Sequence, residues 1–442
     1  MDTVSGSAGE TRAADTADSA KASKVAFAGL IGTSIEWYDF FIYGTAAGLV
    51  FAPQFFPSVS PTVGTLAAFS TFAVGFVARP IGAAVMGHVG DRIGRKRILL
   101  LSVLMMGLAT FAIGLLPTYA TIGIAAPLIL VVLRFLQGFA VGGEWGGAVL
   151  MSLEHAPPNR RTLYAAFPQI GLPIGIFLSS GVFLIVRLST SAEAFAAWAW
   201  RIPFLLSVVL VGVGLFIRVR IGESPEFAEV KERGEVRKMP LVDVVRRHPG
   251  SLLLATGVNI GCSGLGNILL VFSVSYVALK KLASPSAMLA IVVITSVAWA
   301  AAVYAGASLA ERVGRKRVVM TASAIWVVWA FVFYALIDTG SVVLIGVSCV
   351  VLGILIGVGN GPVPALVAET FPVAVRFSGA SVTYGLGGIF GGAFAPIIAT
   401  ALYGGFATSI PLSIYAAVLA LVTLVSAALI RSLRTDSPTG SV

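Results

Sequence analysis

The chain alternates between long apolar runs and short polar or glycine-rich segments. Roughly twelve of the runs are long enough, at about 20 residues each, to cross a bilayer as an α-helix. They begin near Val25, Thr62, Ile98, Ala125, Leu163, Trp198, Leu252, Ser286, Val318, Val342, Val375 and Ala407. This pattern predicts an all-α membrane protein with twelve transmembrane helices.

Two polar segments between apolar runs resemble each other. The first runs from Gly87 to Arg97 and the second from Ala307 to Arg317, and both contain an acidic residue followed by Arg-x-Gly-Arg-Lys-Arg. Their acidic residues, at positions 91 and 311, lie 220 residues apart, which is about half of the 442-residue chain. The repeat indicates two similar halves.

A second pair of segments has nearly the same offset. Glu154 and Arg161 lie seven residues apart, as do Glu369 and Arg376, and the two pairs are 215 residues apart. Internal repeats of this kind are typical of secondary transporters. The sequence therefore predicts two pseudo-symmetric bundles of six helices.

The polar and apolar segments divide the chain into five parts. We expect the long charged segment near the middle to be a linker between the halves, because a structureless stretch of this length inside a domain would be unusual. The parts are a disordered tail at 1–23, a six-helix bundle at 24–217, a linker at 218–250, a second six-helix bundle at 251–431 and a tail at 432–442.

Composition and charge support the membrane class. Hydrophobic residues make up 57% of the chain and charged residues 11%, with a mean hydropathy of +0.95, which a water-soluble surface could not sustain. The net charge of +10 does not indicate a nucleic-acid partner, because the basic residues are concentrated in alternate loops. By the positive-inside rule these loops and both termini face the cytoplasm, as expected for a multi-pass protein of a bacterial inner membrane.

The first apolar run contains an acidic pair. Glu36, Asp39 and Tyr43 are spaced i, i+3 and i+7, which places them on one face of a helix. Two carboxylates in one spanning helix require either a polar lumen or a partner. We therefore expect this face to line the transport pathway.

Basic residues in neighbouring runs are candidate partners for these carboxylates. From the rise of 1.5 Å per residue, Asp39 and Arg134 lie at similar depths, about 17 Å and about 14 Å from the outer face. Because isolated charges at such depths are costly, we expect these two to pair. Glu36, Arg79 and Glu144 form a second charged layer, deeper in the membrane.

The charged layers suggest coupling to protons. A carboxylate whose partner changes between outward-facing and inward-facing states also changes its pKa, which is the physical requirement for such coupling. Asp39 is the first candidate for the proton carrier and Glu36 the second. The alternative is that Asp39 and Arg134 form a permanent ion pair that only fixes a helix contact. Arg79 would either bind an anionic substrate or brace Glu36 or Glu144.

Other polar side chains within the apolar runs are candidates for substrate binding or charge pairing. In the second half they lie among glycines and prolines, which free backbone groups for a ligand where they line a cavity, although close helix packing explains any single glycine equally well. Besides Arg79, Arg134 and Glu144, the candidates are Gln137, Tyr43, Asn259, Asn267, Asn360 and Tyr384.

The repeated polar segments are candidates for a gate. Glycine permits a tight turn, an acidic residue caps a helix N-terminus or pairs with a base, and Arg-Lys clusters hold a loop at the anionic leaflet. Contacts that form in only one state would set the balance between states, whereas topology anchoring alone would not require the acids and glycines. The candidates are Gly87, Gly90, Asp91, Arg92, Gly94, Arg95, Glu154, Arg161, Glu311, Arg312, Gly314, Arg315, Glu369 and Arg376.

The segment at 87–97 resembles the signature loop of the major facilitator superfamily. Further motifs are similar to those of the metabolite:proton symporter family, namely Glu36-Trp37-Tyr38-Asp39-Phe40, Arg79-Pro80-Ile81-Gly82, Arg134-Phe135-Leu136-Gln137-Gly138 through Glu144, Trp200-Arg201-Ile202-Pro203-Phe204 and Glu369-Thr370-Phe371-Pro372 with Arg376. The resemblance covers residues 25 to 430, and it implies the major facilitator fold, a central site, alternating access and proton-driven uptake. The second loop departs from the pattern, with Ala307 and Ala310 in place of glycine.

These observations predict a monomeric secondary transporter that imports a small polar metabolite by proton symport, without a metal or another cofactor. We favour a carboxylate substrate, because Arg79, Arg134 and the second-half Asn and Tyr residues offer groups to receive one. The alternatives are a proton-coupled betaine or amino-acid symporter and a proton-driven exporter of amphiphilic compounds. An enzyme or a sensor is disfavoured, because neither clustered His or Cys ligands nor a nucleophile with a base stand out.

Overall fold

Long helices make up almost all of the protein. A computed structural model describes the backbone at residues 5–93, 95–142, 148–150, 152–153, 156–220, 240–372, 375–406 and 408–430. Within these ranges, the side chains at 5–22, 25, 84, 87–93, 95–99, 158, 217–220 and 240–243 are outside the description. In the described chain, nine helices are long and apolar enough to cross a membrane, and two shorter apolar helices and the first helix complete the predicted twelve.

The first half of the chain contributes six of these helices. They are α1 (Ser5–Ala46), α2 (Pro61–Ile93), α3 (Arg95–Leu115), α4 (Ala125–Val141), α5 (Arg161–Ser189) and α6 (Ser207–Arg220). Proline begins α2, where its missing N–H costs nothing. A π-helical turn at Ala47–Phe51 extends α1.

The second half contributes the other six. They are α7 (Pro249–Leu279), α8 (Pro285–Val313), α9 (Arg315–Ile337), α10 (Val342–Glu369), α11 (Arg376–Phe406) and α12 (Ile410–Leu429). A π-helical turn at Ile268–Phe272 interrupts α7 at nearly the same offset from the turn after α1 as separates the two polar segments. The internal repeat therefore extends to details of helix geometry.

The two halves meet along two seams. α5 packs against α8, and α2 packs against α11. A repeat of six helices relates α2 to α8 and α5 to α11, so the two seams are equivalent by pseudo-symmetry. The space enclosed between the seams is where a transported molecule would pass.

Within the first half, α2 and α4 approach so closely that only glycine fits between them. A methyl group added to Gly138 would overlap the carbonyl oxygen of Gly75, and one added to Gly82 would overlap that of Phe139. Small residues permit such backbone contact between membrane helices. The contact brings Arg79 of α2 and Arg134 of α4 into one region of the half.

The structure differs from the sequence expectation at several helix ends. α1 already begins at Ser5, within the expected disordered tail, and the alanine-rich composition of that segment favours a helix. Residues 87–93 continue α2 instead of forming a loop. In the second copy, the turn between α8 and α9 is confined to Gly314, whose φ of 97° favours glycine. The linker includes a helix at Pro240–Arg247, and the division into five parts stays a prediction.

An ion pair that the sequence analysis did not anticipate joins α7 to α9, at the end opposite to the polar segments. Lys280 donates to Asp338 over 2.8 Å, and the Tyr276 hydroxyl donates to the same oxygen over 2.6 Å. Burial disfavours the charged form of both groups, but hydrogen bonds from Lys280, Ser409 and Tyr276 hold the pKa of Asp338 below its usual value. Burial is likewise outweighed at Lys280, whose hydrogen bonds raise its pKa, so the pair stays ionised at neutral pH.

Candidate functional site

A cavity of about 540 Å³ lies between the two halves. Both halves contribute to its wall, which combines aromatic rings with amide and hydroxyl groups. The lining residues are Trp37, Phe41, Phe76, Arg79, Gln169 and Leu172 of the first half and Asn259, Cys262, Ser263, Gly266, Asn267, Leu270, Trp299, Asn360, Tyr384 and Gly388 of the second. Arg79 is the one charged side chain among these described lining residues.

The Arg79 guanidinium carries unsatisfied hydrogen-bond donors into this cavity. Arg79 is 7% exposed, and its Nε and Nη2 groups have no hydrogen-bond partner. Glu36 lies 3.6 Å from Nη2, which balances the charge but is too long for a good hydrogen bond. The rings of Trp37, Phe40 and Phe76 lie 4.6–5.2 Å from the guanidinium carbon and stabilise the cation. Arg79 is therefore held in place with donors to spare.

The second-half residues singled out from the sequence come together at this cavity. Asn259, Asn267, Asn360 and Tyr384 all line it, although they lie on three different helices. Their role in binding a substrate stays a prediction. The structure brings them face to face with Arg79, which the spacing along the chain could not show.

Several lining residues escaped the sequence analysis. Gln169 of α5 donates to Asn360 of α10 over 3.1 Å and so links the two halves at the cavity wall. Cys262 was expected only to pack, yet its thiol borders the cavity. Trp37 and Trp299 were not considered because single aromatic residues in apolar runs usually serve packing. Their position on a helix face shared with polar residues is the signal that could have identified them.

Three further buried polar atoms at the cavity lack partners. Asn267 is 5% exposed, and its amide nitrogen donates to the carbonyl of Ser263, whereas its Oδ1 accepts no hydrogen bond. The indole Nε1 groups of Trp37 and Trp299 also have no acceptor. Buried polar groups are normally satisfied, so unsatisfied ones that converge on a cavity point to a ligand.

Arg134 lies behind the cavity in a fully buried cluster of aromatic rings. Its guanidinium carbon lies 3.9 Å from the centre of the Phe40 ring, 4.3 Å from that of Tyr43 and 4.7 Å from that of Phe72. Nη1 donates to Gln137 over 3.0 Å, and Nη2 has no partner. Gln137 and Tyr43 therefore surround Arg134 and do not line the cavity.

The expected ion pair between Asp39 and Arg134 is not formed in this structure. Both carboxylate oxygens of Asp39 are buried without a hydrogen-bond partner. Thr110 lies beside Asp39, but its hydroxyl donates to the carbonyl of Met106. The aromatic rings around Arg134 provide cation–π contacts that replace a carboxylate, and this alternative was overlooked in the depth argument.

The acidic face of α1 is also not the face that borders the cavity. Trp37 and Phe41 of α1 line the cavity, whereas Glu36, Asp39 and Tyr43 do not. Glu36 turns to Arg79, and Tyr43 donates its hydroxyl to Thr71 of α2 over 2.6 Å. The expectation was wrong because it counted charge alone, and the guanidinium groups of neighbouring helices draw these side chains to the adjacent face.

The repeated polar segment of the second half contacts the first half directly. Glu311 accepts hydrogen bonds from the backbone N–H groups of Thr162 and Leu163, over 2.6 Å and 3.1 Å. These N–H groups belong to the first turn of α5, where no intrahelical acceptor exists. Arg315 donates to the Thr162 hydroxyl over 2.8 Å and forms an ion pair with Glu369. The prediction that an acid of these segments caps a helix is thus confirmed for Glu311.

The remaining gate candidates are less informative. Arg161 and Arg312 are exposed, and Arg376 donates to the carbonyl of Phe371 in its own segment. Three candidates lie outside the described residues, namely Gly94, Glu144 and Glu154. Five more lie in described helices, but their side chains are outside the description: Gly87, Gly90, Asp91, Arg92 and Arg95.

Comparison with known sequences gives close relatives over almost the whole chain. The profile of the family described as "Sugar (and other) transporter" matches residues 25–247 and 250–433. The inner membrane metabolite transport protein YhjE of Escherichia coli strain K12 is 41% identical over 424 residues, 94% of this chain and 95% of that protein. The shikimate transporter of the same organism is 39% identical over 404 residues, with 88% and 89% covered. The proline/betaine transporter of Salmonella typhimurium strain LT2 is 30% identical over 384 residues, with 85% and 77% covered.

Comparison with solved structures gives the same fold. A crystal structure of the D-xylose-proton symporter has a TM-score of 0.70 at 17% identity, covering 92% of this chain and 96% of that one. The xylose transporter XylE from E. coli, in a partially occluded inward open conformation, has a TM-score of 0.72 at 16% identity, covering 95% and 99%. The major facilitator fold predicted from the sequence is thereby confirmed.

Proposed function

Because the chain belongs to the sugar (and other) transporter family of the major facilitator superfamily, we propose that it imports a small carboxylate together with a proton. The protein is a multi-pass inner-membrane transporter and not an enzyme. In the proposed cycle, the central cavity opens alternately to the two sides of the membrane as the halves rock along their two seams.

One observation carries the substrate proposal. Arg79 presents two unpartnered N–H groups to a cavity in which the other described lining side chains are uncharged. A carboxylate can accept two hydrogen bonds from one guanidinium, and such pairs are strong and directional. The similarity to a shikimate transporter, whose name denotes a carboxylate substrate, supports the same reading.

Proton coupling is assigned to Asp39, with Glu36 as the second candidate. Asp39 is 1% exposed, and neither of its oxygens has a hydrogen-bond partner. Burying a carboxylate in this way costs far less for the neutral acid than for the anion. A state that brings Arg134 or water to Asp39 would favour release of the proton, which is the exchange that symport requires.

The proposed orientation places the end with the repeated polar segments in the cytoplasm. The basic residues of the chain are concentrated at that end, and both termini belong to it, so the positive-inside rule applies to both. In this orientation, the contacts of Glu311 and Arg315 with α5 close the cytoplasmic side of the cavity.

The first test is uptake into proteoliposomes that contain the full-length protein and an inward proton gradient. We expect one member of a panel of carboxylates, including shikimate, to accumulate, and we expect an uncoupler to stop the accumulation. Asp39→Asn should abolish uphill uptake, because the amide cannot carry a proton, while the variant remains folded in the membrane. Accumulation that is insensitive to the uncoupler would contradict symport, and normal uphill uptake by Asp39→Asn would transfer the proton role to Glu36.

A symporter of betaine or amino acids is the second candidate. Four aromatic side chains line the cavity, Trp37, Phe41, Phe76 and Trp299, and aromatic rings bind quaternary ammonium groups. The proline/betaine transporter is also a relative, at 30% identity. Including glycine betaine and proline in the uptake panel separates the two candidates.

A further inference from the structure

The unsatisfied polar atoms of the cavity define a substrate more closely than its charge does. We propose that the site takes a small monocarboxylate that carries hydroxyl groups, with its carboxylate on Arg79 and one hydroxyl donating to Asn267. The inference rests on the proposed transport of a carboxylate and adds the substrate class. It follows from a count of which donors and acceptors at the cavity lack partners.

The unsatisfied donors ask for a substrate rich in oxygen. Besides Nε and Nη2 of Arg79, the indole N–H groups of Trp37 and Trp299 have no acceptor. The two tryptophans belong to opposite halves, so their N–H groups cannot both be satisfied by one carboxylate held at Arg79. Hydroxyl oxygens elsewhere on the substrate would supply the remaining acceptors.

The unsatisfied acceptor asks for a substrate that also donates. Asn267 Oδ1 is buried and unpartnered, and the orientation of the amide is fixed because its nitrogen donates to the carbonyl of Ser263 over 3.0 Å. Either a hydroxyl or an ammonium group could donate to this oxygen. A hydroxyl satisfies Asn267 and accepts from a tryptophan as well, whereas an ammonium group leaves the indole donors unsatisfied.

The charge of the cavity restricts the substrate to one carboxylate. Arg79 is the one cation among the described lining residues, and Glu36 already offsets part of its charge. A second carboxylate would be buried without a counter-charge, at a large cost. Gln169 and Asn360 are partly occupied by their mutual hydrogen bond, so they are poor substitutes for a second cation.

A matched pair of probes tests the hydroxyl contact on the purified full-length protein. Shikimate and cyclohexenecarboxylate share a ring and a carboxylate, and they differ in the hydroxyl groups. Isothermal titration should show that shikimate binds at least about tenfold more tightly, since one good hydrogen bond to a buried group is worth about that factor. The methyl ester of shikimate should bind more weakly than shikimate, because the ester carries no charge for Arg79.

Variants then assign the contact to its residue. Asn267→Leu removes the acceptor at nearly constant size, and it should weaken shikimate binding about tenfold while leaving cyclohexenecarboxylate binding unchanged. Asn159→Leu, at an exposed position outside the cavity, is the matched control and should change neither affinity. The comparison of the two probes on the unaltered protein does not depend on any variant folding correctly.

The possible outcomes separate this inference from the proposed function. Equal affinity for the two acids, equal weakening of both by Asn267→Leu, or tighter binding of glycine betaine than of shikimate would overturn the hydroxylated substrate class. Gradient-driven uptake of carboxylates without preference for hydroxyl groups would overturn this inference alone. A strong hydroxyl preference in binding without gradient-driven uptake would support it and contradict symport.

Discussion

Arg79 is the residue at which substrate binding and the charge of the protein meet. Its guanidinium is oriented by three aromatic rings and by Glu36, yet it keeps two N–H groups free for the cavity. A substrate carboxylate and Glu36 would therefore compete for one cation. Such competition gives binding of the substrate a direct effect on a buried acidic group.

Replacing Glu36 tests this competition. Glu36→Gln removes the negative charge that partly neutralises Arg79, so a carboxylate substrate should bind about tenfold more tightly, measured by titration calorimetry. Glu193→Gln, at an exposed acidic position, is the control and should leave the affinity unchanged. An unchanged or weaker affinity in Glu36→Gln would show that Glu36 does not compete with the substrate.

Single residues also show how far the sequence could predict the site. The need of buried charges for partners identified Arg79, Arg134, Glu36 and Asp39 as unusual, and residue counting placed Arg134 near the level of Asp39. Residue counting gives depth but not the direction of a side chain. The rings of Phe40 and Tyr43, which carry no charge, took the place of the expected carboxylate partner of Arg134.

At the scale of elements, the contact between α2 and α4 determines where the two buried arginines lie. Backbone meets backbone at Gly75 with Gly138 and at Gly82 with Phe139. Helices in a membrane gain little from the hydrophobic effect between them, so this close packing is a main source of their affinity. A wider separation would displace Arg79 and Arg134 from their aromatic neighbours.

A single methyl group should disrupt this contact. Gly138→Ala places a methyl group on the carbonyl of Gly75, and overpacking of this kind costs about 1–3 kcal/mol. The melting temperature of the protein in detergent should fall, and substrate affinity should fall with it. Gly212→Ala is the control, because nothing lies within 4 Å of the added methyl group, and its melting temperature should stay the same or rise slightly. Equal melting temperatures for the two variants would contradict the packing argument.

Elements were predicted well in number and poorly at their ends. Apolar length determines whether a helix crosses the bilayer, and therefore twelve helices could be counted from the sequence. The helical extension of α2 through residues 87–93 is polar, and polarity alone does not distinguish a loop from a helix that projects beyond the membrane. The π-helical turns in α7 and α11 have no sequence signal that we used.

At the scale of the whole molecule, the two halves touch at both ends of the cavity. At the end with the polar segments, Glu311 and Arg315 of the second half hold the first turn of α5. At the opposite end, the Ser275 hydroxyl of α7 donates to the carbonyl of Gly48 over 3.2 Å. Transport requires these two sets of contacts to break in turn.

Weakening one set should shift the protein towards opening at that end. Glu311→Gln loses the charge of an acceptor that caps α5, so we expect the end with the polar segments to open about tenfold more often. Cys262 lines the cavity and is one of two cysteines in the chain, so a Cys349→Ala background leaves it as a single reporter thiol. Its alkylation by an impermeant maleimide should accelerate in inside-out vesicles.

The control for this experiment is Arg312→Gln, which changes an exposed neighbour of Glu311 and should leave the alkylation rate unchanged. Equal rates for Glu311→Gln and the parent protein would show that the cap on α5 does not hold the cavity shut. A faster rate only in right-side-out vesicles would reverse the proposed orientation.

The hydrogen bond between Gln169 and Asn360, which joins the halves in the middle of the membrane, has a consequence for energetics. Moving one elementary charge through the membrane voltage is worth about 2.3 kcal/mol per 100 mV, so charged clasps would make each opening step sensitive to voltage. Two amides move no net charge when they separate. The central clasp is thus electrically silent, and a cycle that carries one anion with one proton would run at the same rate in energised and depolarised cells.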